Sequence, residues 1–209
     1  MIKIMIVDDH PIVRSGLKKI ISDELDMQIV CEASTGKQVE DLVRKNDLDI
    51  IILDISLPDI SGFEILIRLR NLFPDIPVLM LSVMSEDFYA SKTLKAGASG
   101  FINKESATEE LIIAIRKIIS GNHYISPLFA EKIALDFKGK LLKAPHDRLS
   151  SREFQVLTFI ASGKALSEIA TDLSLNIKTV STYRTRLLEK MNVKSNADLV
   201  KYCINQGLL

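Results

Sequence analysis

Apolar residues fall in short, nearly unbroken runs through the first 120 positions: Ile2 to Val7, Gln28 to Cys31, Ile50 to Asp54, Val78 to Ser82 and Gly100 to Ile102. Such runs read as strands buried on both faces, as in a parallel sheet. Between them the spacing changes to three and four. Val13, Leu17, Ile20 and Ile21 share one helical face, as do Val39, Leu42 and Val43; Phe63, Leu66 and Ile67; and Leu111, Ile115, Ile118 and Ile119. A fourth helix, Glu86 to Ala96, has the weakest apolar face and is the element expected to shift most easily. Five strand–helix alternations predict an α/β fold with a doubly wound five-stranded parallel sheet, because parallel neighbours need a helix-sized crossover.

The pattern breaks at Gly121. Residues 121–148 read as a linker: Ser126-Pro127 starts a short helix over Ala130 to Phe137, and an aperiodic basic stretch with Gly139 and Pro145 follows. Residues 149–209 are helical throughout and form a small all-α domain. Ser150-Ser151-Arg152-Glu153 is a capping box, and Leu157, Ile160 and Ala161 form the buried face of its helix, which ends at Gly163. A short helix near Ser167 to Leu173, the turn Ser174-Leu175-Asn176 and a longer helix from Ile177 to about Met191 make a helix-turn-helix. A final helix runs from Asn196 to Asn205.

Composition narrows the classes. With 47% hydrophobic and 26% charged residues, the 209-residue chain is not a disordered one. Its longest uncharged run, Ile118 to Ala130, falls short of the roughly 18 apolar residues that cross a bilayer. With no basic, apolar leader after Met1, a cytoplasmic chain without a membrane span is expected. Cys31 and Cys203 have neither CxxC spacing nor a His companion, which fits buried small hydrophobes. The formal net charge of zero hides an asymmetry, −3 over residues 1–148 and +3 over residues 149–209. A basic end on an acidic body is one footprint of nucleic-acid binding.

The acids sit where a parallel sheet binds its ligands, at the carboxyl ends of strands. Asp8 and Asp9 end the first strand and Asp54 the third, so three carboxylates converge and need a cation, for which Mg²⁺ or Mn²⁺ suits oxygen donors. Ser82 ends the fourth strand and Lys104 follows the fifth, adding a hydroxyl and an ammonium that would complete a cradle for phosphoryl oxygens. On the long basic helix, Val180, Leu187 and Met191 must face inward, leaving Ser181, Thr182 and Thr185 outward among Lys178, Arg184, Arg186 and Lys190. An α-helix with such a face fits the major groove of DNA.

These residues resemble a known family. Ile6-Val7-Asp8-Asp9-His10, Leu53-Asp54-Ile55-Ser56-Leu57-Pro58 with Gly62, Leu81-Ser82, Ala96-Gly97-Ala98 and Gly100-Phe101-Ile102-Asn103-Lys104 look like the flavodoxin-like receiver domain of bacterial two-component response regulators. Leu149-Ser150-Ser151-Arg152-Glu153, Gly163, Glu168-Ile169-Ala170 and Lys178-Thr179-Val180-Ser181-Thr182-Tyr183 resemble the helix-turn-helix of LuxR-type regulators, and together they follow the order of the NarL/FixJ class. The resemblance implies a transcription regulator rather than an enzyme, with residues 1–120 as receiver and 149–209 as DNA-binding domain. Asp54 would take a phosphoryl group from a sensor histidine kinase. Asp8, Asp9, Asp54 and the backbone carbonyl of Ser56 would hold Mg²⁺, and Ser82, Lys104 and Phe101 would bind the phosphoryl group and switch. Lys178, Thr179, Tyr183, Arg184 and Lys190 would hold double-stranded DNA while Ser181, Thr182 and Thr185 read bases.

The last helix, through Leu199, Val200 and Cys203, would join two copies into a homodimer on DNA, with RNA polymerase a further partner the class allows. Ser82 stands where Thr is commoner, Phe101 lacks the frequent Tyr hydroxyl, and Ser61 stands where an acid or amide often precedes Gly62. Two other readings stay open, an adaptor with a vestigial acid cluster and a small Mg²⁺-dependent phosphohydrolase with Asp54 as nucleophile. Asp54, Lys104, Asp8 and Asp9 together argue against the first, and the helix-turn-helix argues against the second.

Overall fold

The computed structural model describes residues 1–83, 86–127, 130, 145–206 and 208, without the side chains of 86–88, 91 and 147. The chain divides into two compact units, Met1–Lys138 and Gly139–Leu209. In the first unit β1 (Ile2–Val7), β2 (Met27–Ala33), β3 (Ile50–Asp54), β4 (Val78–Ser82) and β5 (Gly100–Asn103) alternate with α1 (Pro11–Ser22), α2 (Val39–Lys45), α3 (Gly62–Leu72), α4 (Glu86–Lys95) and α5 (Ala107–Ile119). All strand pairs are parallel, in the order β2-β1-β3-β4-β5.

Register is what builds the site. Val7 pairs with Leu53, so Asp8 comes out beside Asp54; Asp54 pairs with Leu81, so Ser82 lies one step beyond. Ser82 in turn pairs with Asn103, which delivers Lys104 to the same edge. Every residue of β3 and β4 is buried, as their unbroken apolar runs require. Ile4, Ile6, Ile50, Ile52, Leu79, Leu81 and Ile102 form one face with Leu17 and Ile21 of α1 and Leu111, Ala114, Ile115 and Ile118 of α5. The alternate strand residues, Met5, Val7, Ile51, Leu53, Met80 and Phe101 among them, are equally buried on the opposite face.

One predicted helix face is rotated and another is shortened at its end. On α3 the buried residues are Gly62, Ile65, Leu66 and Leu69, and Ile67 is exposed. Of the expected Phe63, Leu66 and Ile67 only Leu66 is buried, because packing turns the face toward Ile65 and Leu69. On α5, Ile119 is likewise exposed while Ala114 is buried. The weak face of α4 has a physical cause: its buried residues include Tyr89, Ala90 and Thr93, and the Thr93 hydroxyl donates back to the Tyr89 carbonyl at 2.8 Å.

The segment expected to begin a linker instead continues the first unit. Gly121, at a φ of +84°, reverses the chain after α5, and Tyr124 pairs in parallel with Gly100 on the outer edge of β5. Of the helix expected over Ala130 to Phe137, only Ala130 is described, its amide bonded to the Ser126 carbonyl at 3.0 Å; the rest lies outside the described residues.

The second unit consists of α6 (Ser151–Ala161), α7 (Leu166–Asp172), α8 (Ile177–Met191) and α9 (Asn196–Asn205). The expected capping box forms: the Glu153 amide donates to Ser150 Oγ, and Glu153 Oε2 accepts from the Ser150 amide at 2.8 Å. Phe154, Leu157, Ile169, Leu173, Val180, Leu187, Met191, Leu199 and Cys203 are buried. Ser174, at a φ of +51°, makes the turn between α7 and α8, and the Asn176 side chain caps α8 by accepting from the Lys178 amide. Pro145–Arg148, read from sequence as the end of the linker, is a 3₁₀ turn held to α9 by a 2.7 Å hydrogen bond between His146 Nδ1 and the Tyr202 hydroxyl.

Ser150→Ala removes one half of the capping box on the helix that gives this core its largest share of buried residues. It should lower the unfolding free energy of the second unit by about 1 kcal/mol, measured by urea denaturation of the full chain.

Candidate functional site

Asp8 and Asp54 are fully buried, and the ammonium of Lys104 lies 2.7 Å from Oδ2 of each. The other Asp54 oxygen accepts the Ser56 amide at 3.1 Å, so Ser56 and Lys104 fix the plane of the carboxylate. Asp8 Oδ1 accepts the His10 amide at 2.8 Å. The His10 ring nitrogen Nδ1 stands 2.8 Å from Asp9 Oδ1 and 3.3 Å from Asp8 Oδ1. From α1, Arg14 donates to the Asp8 carbonyl at 2.6 Å and reaches Glu32 of β2, holding the end of β1 from outside.

Burial, and then the charge of Asp8, raise the Asp54 carboxyl above the usual range of an aspartate; Lys104 offsets this only in part. Burial opposes the charge on Lys104, but Asp54 and Asp8 outweigh it and hold the ammonium above its ordinary range. One buried ammonium thus stands against three carboxylates. Ligand atoms of Asp8, Asp9, His10 and Asp54 lie within 4.8 Å of one another, so the donor set and its surplus negative charge fit a divalent cation such as Mg²⁺ or Mn²⁺.

Gly62 explains how α3 can start directly above the pocket. A Cβ there would sit 2.0 Å from the Asp54 carbonyl oxygen, a clash with backbone that no side-chain motion relieves. The loop between them is tied down from the other side by Asp59, whose carboxylate accepts the amides of Gly36 at 2.8 Å and Lys37 at 3.0 Å. Ser82 and Phe101 are both buried, at the ends of β4 and within β5, and Ser56 is half-buried at the mouth. His10, Arg14 and Asp59 were not singled out in the sequence. His10 follows the two acids directly and was the one legible in principle, whereas Arg14 and Asp59 act through backbone groups that no spacing marks.

In the second unit the face of α8 is as expected, with Val180, Leu187 and Met191 buried and Lys178, Thr179, Ser181, Thr182 and Thr185 exposed. Tyr183 and Arg184 are half-buried, and Arg184 Nε donates to the Asn196 side chain at 2.7 Å. Thr182 and Thr185 donate their hydroxyls to the carbonyls of Lys178 and Ser181 in the preceding turn, leaving oxygen lone pairs outward. Lys190 is placed differently from expectation. Its ammonium is 2.6 Å from the buried carboxylate of Glu153, so it neutralises the α6 cap. The expected dimer surface is also corrected: Leu199 and Cys203 are fully buried and Val200 is half-buried, because α9 spends this face packing on α6. Burial pushes the Cys203 thiol up to about 11.

The fold and the two sites define a receiver joined to a helix-turn-helix regulator. The response regulator receiver domain family matches residues 4–116, and the family of bacterial regulatory proteins, luxR family, matches residues 147–203. The chain belongs to the response regulators of the NarL/FixJ class, a family of transcription regulators and not of enzymes. It is 35% identical to the response regulator GacA of Pseudomonas aeruginosa over all of this chain and 98% of that protein. It is 34% identical to the response regulator UvrY of Escherichia coli K12, over 100% of this chain and 96% of that one. Among solved structures, RcsB from Salmonella enterica serovar Typhimurium, bound to promoter rprA in the presence of the phosphomimetic BeF₃⁻, superposes with a TM-score of 0.67 at 26% identity, covering 97% of this chain and 98% of that one. Among the described residues, no helix is long and apolar enough to cross a membrane.

A buried carboxyl held above its ordinary range destabilises the fold increasingly as pH rises from the usual aspartate value through its own. Asp54→Asn should therefore melt higher than the wild-type chain at pH 7 without divalent ions, and the gap should close as pH falls toward the ordinary aspartate range. Mg²⁺ should raise the melting temperature of the wild type and leave the variant nearly unmoved in scanning calorimetry; equal responses would remove Asp54 from the cation site.

Proposed function

We propose that this chain is a DNA-binding transcription regulator of the cytoplasm, switched by phosphorylation of Asp54 from a sensor histidine kinase. The observation that carries this is the Lys104 ammonium placed 2.7 Å from both Asp54 and Asp8 in a buried pocket. The first unit, with the segment through Tyr124 that continues it, is the phosphoacceptor domain, and the second unit, with Pro145–Arg148 held to its last helix, is the DNA-binding domain. Asp8, Asp9, Asp54 and the Ser56 carbonyl would hold Mg²⁺, which when bound would supply positive charge to offset the carboxylates and a phosphoryl group.

Asp54 presents a carboxylate oxygen to the phosphorus of phosphohistidine; the new O–P bond forms as the P–N bond breaks, its electron pair stays on the ring nitrogen, and the imidazole leaves neutral with the proton already on its other nitrogen. The Ser56 amide and Lys104 keep the carboxylate in place for this attack, and Lys104 afterwards pairs with the phosphoryl group. Ser82 donates its hydroxyl to a phosphoryl oxygen, and Phe101 follows Ser82. Charge-assisted bonds that exist only after modification are what can shift a two-state equilibrium.

In the second domain α8 enters the major groove. Lys178, Thr179, Tyr183 and Arg184 hold phosphates, and Ser181, Thr182 and Thr185 meet base edges. The protein acts on DNA as a homodimer. Because Leu199 and Cys203 are buried, the contact through α9 falls on its outer side, where Ile204 is exposed.

Acetyl phosphate with Mg²⁺ should label the full chain, and Asp54→Ala should abolish the label; persistent acid-stable, base-labile label on the variant refutes the assignment. With about three phosphate contacts per subunit, log K for a dimer on DNA should fall with log salt at a slope of roughly −5. Arg184→Ala should flatten that slope on every sequence, Thr182→Ala should alter sequence preference at nearly constant slope, and Lys190→Ala should leave the slope while lowering the stability of the second unit. Filter-binding titrations at several salt concentrations separate these outcomes.

A further inference from the structure

The outer edge of β5 is not open. After Gly121 turns the chain, the Tyr124 amide donates to the Ser99 carbonyl at 3.0 Å, and the Phe101 amide donates to the Tyr124 carbonyl at 3.1 Å. Tyr124 is buried with the α1–α5 layer, its hydroxyl donates to Glu110 Oε2 at 2.9 Å, and the Lys117 ammonium lies 5.7 Å from the ring centre. The fit is close: a Cβ on Gly100 would come within 2.9 Å of the Tyr124 carbonyl oxygen. The chain beyond α5 is therefore bridged at Tyr124 to the strand that carries Phe101 and leads into Lys104.

We propose that this bridge is the device that reports the state of Asp54 to the connecting chain, by opening when Asp54 is phosphorylated. The proposal rests on the reading of Asp54 as the phosphoacceptor. Lys104 ties the far end of β5 to Asp8 and Asp54, and its amide donates to the Ser82 carbonyl at 2.8 Å. A phosphoryl group on Asp54 takes Lys104 as its counter-ion, and so pulls on the end of a four-residue strand. On its inner side β5 is held by the whole of β4, from Gly100 to Asn103. On its outer side two backbone hydrogen bonds to Tyr124 hold it, so that side yields first. Residues 125–127, which follow the bridge directly, then lose the anchor that β5 gave them at Tyr124, and the release is passed to the chain that leads to the second unit.

Hydrogen exchange on the full chain, with and without Mg²⁺ and beryllofluoride, reads the pair directly. Segments 99–102 and 122–126 should exchange at least about five-fold faster with beryllofluoride, while the middle of α5 stays protected. Two variants open the pair from outside the phosphoryl site: Gly100→Ala, which drives the Tyr124 carbonyl off the strand, and Tyr124→Phe, which keeps the ring and loses the Glu110 bond. Both should accept phosphate from acetyl phosphate within about two-fold of the wild type, exchange rapidly at 122–126 without beryllofluoride, and show a gain in DNA affinity on beryllofluoride at least about five-fold smaller. A wild type whose DNA binding responds to beryllofluoride while segment 122–126 exchanges unchanged overturns the relay. So does a variant with an open pair and the full gain. A wild type that takes no phosphate at Asp54 overturns the parent reading, and the relay with it.

Discussion

A lysine ammonium between two buried carboxylates organises the first unit. Asp8 and Asp54 come from neighbouring strands, and register sets them side by side, both fully buried. Two adjacent buried anions are tolerated only with a cation at contact distance, and Lys104 supplies it from a third strand. The loops after β1, β3 and β5 are thus drawn to a common point. Compensation is incomplete in charge, one ammonium against three carboxylates, and the surplus negative charge fits a dication.

Around this point the chain uses backbone as much as side chains. Gly62 lets α3 start against the Asp54 carbonyl, Asp59 pins the intervening loop to the turn at Gly36 and Lys37, and Arg14 grips the Asp8 carbonyl. The second unit repeats the theme. Glu153 is shared between the cap of α6 and Lys190 of α8, so one buried carboxylate sets the angle between the first helix of the unit and its exposed basic helix. Charges near the site divide into those that meet a partner molecule and those that hold the scaffold, and only geometry separates them.

That division marks the limit of what was legible in the sequence. Strands buried on both faces announce themselves by unbroken apolar runs, and the acids at their ends follow from register, so the sheet and the positions of Asp8, Asp54 and Lys104 were readable. The inward face of α8 was readable too, because Val180, Leu187 and Met191 leave one helical solution. Lys190 was not, since its partner Glu153 is 37 residues away. Leu199 and Cys203 look like spare apolar surface until α6 is seen to cover their helix. Ile67 and Ile119 fail for a related reason: on a helix with apolar residues on several sides, tertiary packing chooses the face. Tyr124 lies in a stretch with the composition of a linker, and only the edge of β5 gives its backbone a partner.

The buried thiol of Cys203 has a consequence for the kind of signal the molecule can carry. With its proton held to a pH of about 11, it presents almost no thiolate under physiological conditions, and burial raises the half-buried Cys31 in the same direction. Peroxide and disulfide reagents attack the thiolate, so the folded chain gives them little to react with. Neither thiol is thus poised as an oxidation sensor, and the reactive chemistry of the first unit is gathered in the acid pocket instead.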